Sequence, residues 1–294
     1  MIKTNADKRA QMIIYAVVLL FSLVCLYPIL MALSISFSDE ISVAKHGYSL
    51  IPAVFSADAY KFVFKTLGHG IATGYRNTII VTVLGTLLSI TVSAGYGYAA
   101  SVRSFKYKKL LNLLLYIPMV FSAGLLPWYI ICTRYYNLSN TLFALILPQC
   151  VNLFNVFLVR NFFSAVPYDL TESAMIDGAS QVTIFFRIYV PVARVGLITV
   201  ALFYALSYWN DFYLSLMFIR KTQLYPLQYY IYNMLSNIEF IKNQANQAAA
   251  GSISVPTETV KMAVTCITIG PIALLYPFVQ KYFMKGVIVG AVKG

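Results

Sequence analysis

Charged side chains are unevenly spread along this chain. Ala10–Ser38, Asn77–Val102, Leu110–Thr133, Tyr135–Val159 and Met262–Gln280 hold none, and Val195–Ile219 is interrupted only by Asp211. Each stretch has about 19 residues or more, enough at ~1.5 Å per residue to cross ~30 Å of hydrocarbon as a helix. The alternative spanning structure, a β-barrel, shows alternating segments of ~10 residues instead. The pattern therefore predicts an all-α, polytopic membrane protein with six transmembrane helices, forming a single transmembrane domain over 1–294. Composition agrees: 11% of residues are charged, where a soluble domain carries about 25%.

Lys3, Lys8 and Arg9 precede the first apolar run. That run is about twice the length of a signal-peptide core and lacks a clear small-x-small end, so it reads as a retained helix. Arg103, Lys106, Lys108 and Lys109 crowd one short loop with no acid, which places that loop inside the cell. Alternation then puts both termini inside, with Arg160–Arg194 also inside and Asp39–Arg76 and Arg220–Lys261 outside. The formal net charge of +12 is accounted for by this topology and by anionic lipid headgroups. Nucleic acid is not an expected partner, because the basic residues fall on separate loops.

Other features sharpen the picture. Gly85, Ser89, Ser93, Gly95 and Gly97 make the second span a close-packing helix. Pro118 and Gly124 predict a kink in the third. Cys25, Cys132, Cys150 and Cys266 lie in apolar runs without metal-ligand spacing, and read as small buried hydrophobes. His46 and His69 are the only histidines. No Ser–His pair, paired carboxylates or phosphate-binding Gly-rich loop is present, so the chain is read as non-catalytic. An ion-coupled secondary transporter is the alternative; such proteins usually keep several intramembrane carboxylates or histidines, and here Asp211 stands alone.

The segment from about 164 to 193 reads as helix, turn, helix. Pro167 suits a first turn, and Asp169 and Glu172 suit a helix N-terminus. Gly178 suits a left-handed helix end, and Ser180 the next N-cap. Phe185, Phe186 and Tyr189 form an apolar face, and Pro191 breaks the chain before the fifth span.

This segment resembles the Glu-Ala-Ala loop of binding-protein-dependent importers of the ATP-binding-cassette class. Glu172-Ser173-Ala174, Gly178, Ile188 and Val190-Pro191 stand at the family spacing, with Asp177 and Ala179 flanking the glycine. Ser173, Val190 and Val195 depart from the pattern. Tyr75-Arg-Asn-Thr, Trp209-Asn210 and the tail from Lys285 to Gly294 are similar to carbohydrate-uptake permeases of the maltose type and of complex or uronate-containing oligosaccharides. The resemblance implies a permease of the bacterial inner membrane, paired with a second homologous permease. It also implies two ATPase subunits, which bind ATP and Mg so that this chain needs no cofactor, and an extracytoplasmic solute-binding protein that delivers an oligosaccharide.

Carried over, Glu172, Ser173, Ala174, Asp177, Gly178, Ala179, Ile188 and Pro191 form the ATPase-coupling set, with Glu172 accepting a bond from an arginine of the ATPase. The tail after Lys285 reaches that interface, and the tip Asn243–Gly251 probes the binding protein. Asp211 would cost about 2.5–3.5 kcal/mol facing lipid, so it is expected to face inward. With Tyr204, Trp209, Asn210, Asn152 and Asn155 it is the candidate substrate path; an interhelical hydrogen bond from Asp211 to a residue such as Asn155 is the competing reading. Tyr225, Tyr229, Tyr230 and Tyr232 read as an interfacial aromatic belt, with stacking on sugar the alternative.

Overall fold

The computed structural model describes residues 5–247 and 258–271, with side chains over 11–237 and 258–271. Among them the regular structure is helical, joined by turns and loops, with an isolated antiparallel bridge between Ser38 and Phe55. The described residues form two compact units, one of 5–69 with 234–247 and 258–271, the other of 70–233.

In the first unit the helix Asn5–Ser36 exposes apolar side chains all round, from Met12 to Leu30. A helix with no polar face is at home in lipid or against a protein partner, not in water. The short helix Glu40–His46 is capped by Asp39, whose carboxylate accepts from the Ser42 amide at 3.0 Å. Glu40 in turn caps the helix 258–271, accepting from the Thr259 amide at 2.9 Å and the Thr259 hydroxyl at 2.6 Å. A carboxylate there satisfies orphan N–H groups and complements the positive end of the helix dipole.

The second unit is a bundle around the part of the helix Asp58–Ser101 that begins at residue 70. From residue 70 onward, its small side chains recur every fourth residue at Gly85, Ser89, Ser93 and Gly97, which puts them on one face. The helix Arg194–Asn210 lies against that face. The Tyr208 ring sits over Gly85, and its hydroxyl is 2.9 Å from that of Ser89; the Tyr204 hydroxyl is 2.7 Å from that of Ser93. Gly97 packs against Val159. Small residues allow the close approach, and hydroxyl pairs join the helices without exposing polar groups to hydrocarbon.

The apolar runs are not all straight helices, and the expected kink in the third is one of several breaks. Among the described residues, two helices, Gln11–Ser36 and Asp58–Ser101, are long and apolar enough to cross a membrane unbroken, and three bent helix pairs meet the same criteria. The third expected span divides into Lys108–Val120 and Leu125–Tyr135, with axes 117° apart. The helix passes through Pro118 and breaks at Gly124, whose φ of 83° only glycine adopts readily. The fourth divides into Phe143–Gln149 and Leu153–Ser164, 55° apart. Pro148 cannot donate to the Ala144 carbonyl, and the Asn152 side chain accepts from the Asn155 amide at 3.0 Å to start the second piece.

The fifth span, expected over Val195–Ile219, ends its main helix at Asn210 and resumes as Tyr213–Phe218. Met262–Gln280 is helical through 271, and the remainder lies outside the described residues. So do the tail after Lys285 and 248–251 of the expected tip, whereas 243–247 continue the helix Leu227–Gln247.

Candidate functional site

The segment expected to couple is a helix–turn–helix elbow with a defined turn. Its first helix, Tyr168–Ile176, ends in a Schellman turn: the Ala179 amide donates to the Ala174 carbonyl at 2.9 Å and the Gly178 amide to Met175 at 3.1 Å. Gly178 has φ 77°, a conformation that L side chains resist. The Ser180 hydroxyl accepts from the Thr183 amide at 3.2 Å and caps the second helix, Gln181–Val192. Pro167 is the residue before the first helix, not a member of its first turn.

Pro191 does not break the chain. It sits inside the second helix, directly after a π-turn over Phe185–Tyr189. Such a turn shifts the hydrogen-bond register where proline lacks its donor. The reversal comes at Ala193, where the axes of Gln181–Val192 and Arg194–Asn210 diverge by 82°.

The elbow's surface and root differ in chemistry. Glu172, Ser173, Asp177, Gly178 and Pro191 are exposed, while Ala174, Ala179 and Ile188 are half-buried against the core. Ile176 is 81% exposed, Val182 66% and Phe186 62%. The elbow thus carries exposed apolar side chains together with the Glu172 and Asp177 carboxylates.

Of the apolar face expected from Phe185, Phe186 and Tyr189, Tyr189 is buried, Phe185 half-buried and Phe186 exposed. The Tyr189 hydroxyl pairs with Thr171 at 3.1 Å and ties the two elbow helices together. Its ring packs edge-on against Tyr98 at 4.8 Å and Phe163 at 5.7 Å. The Tyr98 hydroxyl also donates to the Gln181 side chain at 2.8 Å. Arg103 lies over the Tyr168 ring at 5.0 Å. Tyr98, Phe163, Thr171 and Tyr189 thus root the elbow in two membrane helices. Sequence reading missed them as a set; the one signal was an unusual density of aromatics around otherwise small residues.

The candidate path residues do not form one open surface. Tyr204 is 1% exposed, and its hydroxyl accepts from the Asn152 amide at 3.2 Å as well as meeting Ser93. Tyr208 donates to the Ile146 carbonyl at 2.9 Å. These tyrosines, one turn apart, satisfy backbone groups on the two sides of the break in the fourth span, where hydrocarbon offers no partner. Asn155 is buried; Asn152 and Asn210 are exposed.

Asp211 is half-buried, and its carboxylate accepts from the Leu214 amide at 3.4 Å, capping Tyr213–Phe218. No hydrogen bond joins it to Asn155 among the described residues. The Trp209 indole nitrogen is buried without a hydrogen-bond partner among them, with the Tyr75 ring 6.5 Å away.

Tyr225 and Tyr229 are buried and stacked edge-on at 4.6 Å, not arrayed as a lipid-facing belt. The Asn77 amide donates to the Gln223 and Tyr225 carbonyls, and Thr78 accepts from the Leu227 amide at 2.8 Å. The Tyr75-Arg-Asn-Thr stretch thereby fastens the segment that follows the fifth span.

Residues 92–289, which hold both the elbow and the Asp211 break, match the family model described as binding-protein-dependent transport system inner membrane component. The chain belongs to this family. Over 288 residues the permease is 34% identical to a polygalacturonan/rhamnogalacturonan transport system permease protein of Bacillus subtilis (strain 168), covering 98% of this chain and 99% of the relative. It is 29% identical to an arabinooligosaccharides transport system permease protein of Halalkalibacterium halodurans, covering 92% of each. Its fold superposes with a TM-score of 0.82 and 28% identity on a chain of a bacterial ABC transporter involved in the import of the acidic polysaccharide alginate. That match covers 96% of the permease and 99% of the other chain. Both long curated alignments and the structural one extend well beyond the elbow, so the likeness is of whole permeases and not of one motif.

Proposed function

We propose that this permease conducts an oligosaccharide across the bacterial inner membrane by alternating access, driven by ATPase subunits that grip the elbow. The observation that carries this reading is the elbow itself: a preformed helical hairpin with exposed Ile176, Val182 and Phe186 beside Glu172. It is rooted through Tyr189, Tyr98 and Phe163 in the helices that would have to move. Glu172 accepts a charge-assisted bond from an arginine of the ATPase, and Ser173, Asp177, Gly178 and Ala179 set the angle and fit of the hairpin. Two ATPase subunits supply ATP and Mg, a second permease completes the conduit, and a solute-binding protein delivers the sugar. Both termini and the elbow lie in the cytoplasm.

Asp211, Asn210, Trp209 and Asn152 face the conduit in this reading. The Asn210 and Asn152 amides and the Asp211 carboxylate suit sugar hydroxyls and the Trp209 ring a sugar face, while Tyr204 and Asn155 hold the framework. The relatives' names make uronate-containing oligosaccharides the first substrates to test. The complex is reconstituted in proteoliposomes with its binding protein and trigalacturonate, and ATP hydrolysis is measured. Stimulation by the loaded binding protein supports the proposal; uptake driven by a proton or sodium gradient without ATP refutes it.

A further inference from the structure

A cleft of about 450 Å³ opens between the helices Lys108–Val120 and Leu153–Ser164, lined by Lys109, Asn112, Leu113, Tyr116, Phe157 and Arg160, among others. It has a charged end and an apolar wall. Arg160 lies over the Phe157 ring at 5.6 Å, and its buried Nε has no hydrogen-bond partner among the described residues. Lys109 is exposed one turn before Leu113. No carboxylate lines the cleft to neutralise either cation. Along the wall, Leu113, Tyr116 and Met119 are more than half exposed.

We infer that this cleft binds an anionic phospholipid of the inner leaflet. The phosphate takes Arg160 and Lys109, and an acyl chain lies along Leu113, Tyr116 and Met119. Three arguments favour that occupant. Two cations that line one cleft with no carboxylate beside them are costly in a low-dielectric site, and a phosphate supplies the missing counter-charge. Basic pockets between membrane helices on the cytoplasmic side recognise lipid headgroups. A wall so apolar suits a hydrocarbon chain and not a hydrated sugar. The inference rests on the proposed orientation, which puts Lys109 at the cytoplasmic surface, but not on any transport activity.

The test uses the assembled, delipidated transporter complex and native mass spectrometry, with phosphatidylglycerol and phosphatidylcholine titrated in parallel. Wild type retains phosphatidylglycerol in preference to phosphatidylcholine. Lys109→Gln and Arg160→Gln each weaken that retention about fivefold, and the double variant about 25-fold, while Lys106→Gln in the adjacent loop does not. Lys109→Gln, at an exposed position, keeps the test valid should Arg160→Gln fail to assemble. Equal retention of the two lipids, or retention indifferent to both substitutions, overturns the inference. So does displacement of the lipid by inorganic phosphate, which marks a soluble-anion site, or by trigalacturonate, which marks a substrate site. Labelling of Lys106→Cys by an impermeant thiol reagent on intact cells reports separately on orientation.

Discussion

The Tyr204 hydroxyl lies 2.7 Å from that of Ser93, joining the helix Arg194–Asn210 to the small-residue face of Asp58–Ser101. The same oxygen accepts from the Asn152 amide at the break in the fourth span. One buried side chain thus holds three membrane segments together. Hydrogen bonds between membrane helices are worth about 0.6 kcal/mol on average and at most about 1.7. Ser93→Ala is expected to cost within that range in detergent unfolding, and Tyr204→Phe more, because it also orphans an amide. A double-mutant cycle should show coupling of about 0.6–1.7 kcal/mol, whereas simple additivity would mean that the pair does not interact.

Close packing makes a second prediction, with a control in the same helix. A Cβ on Gly85 would meet the Tyr208 ring at 2.6 Å, whereas one on Gly95 meets nothing within 4 Å. Gly85→Ala should therefore destabilise by about 1–3 kcal/mol through overpacking. Gly95→Ala should be neutral, or stabilise by about 0.4–1 kcal/mol through the unfolded state. Thermal denaturation of the two variants side by side distinguishes them, and equal melting temperatures would deny the tight Gly85 contact.

The membrane class, the approximate limits of the apolar segments and the elbow's turn chemistry were legible in the sequence. Apolar composition announces a span whatever its shape, and Gly178 and Ser180 carry local signals that short-range physics decodes. The breaks were harder to see. Cys150–Asn152 and Asp211–Phe212 lie inside apolar runs, and hydropathy is blind to whether such a run is straight. What permits the break at Cys150–Asn152 is remote: Tyr204 and Tyr208, some 50 to 60 residues away, satisfy the freed backbone groups. The burial of Tyr225 and Tyr229 escaped for the same reason, since an aromatic's side of a helix is set by neighbours distant in sequence.

Asp211 combines a capping role with a proposed substrate role, and two substitutions separate them. Asn retains a side-chain oxygen that can accept from the Leu214 amide, whereas Ala removes it at a cost of about 1 kcal/mol. Asp211→Asn should keep wild-type stability but change transport rate or sugar preference, and Asp211→Ala should lose both. If both variants transport with unchanged rate and preference, Asp211 has no part in the path.

Gly178 governs the elbow's angle through its φ of 77°. A leucine there would cost about 1–2 kcal/mol in the left-handed conformation and would favour a different turn. Gly178→Leu should reach the membrane in normal amount yet lose ATP hydrolysis stimulated by the loaded binding protein. Normal stimulation in that variant would remove the glycine from the coupling mechanism.

Ile176 offers the most direct test, because its side chain stands almost free at the tip of the elbow. In the assembled complex, Ile176→Cys should form a crosslink with a cysteine placed in the groove of the ATPase subunit, and sealing that bond should arrest ATP turnover and transport together. If Ile176→Cys never captures an ATPase subunit, or reacts with an impermeant reagent from outside intact cells, the elbow is not the lever that drives this permease.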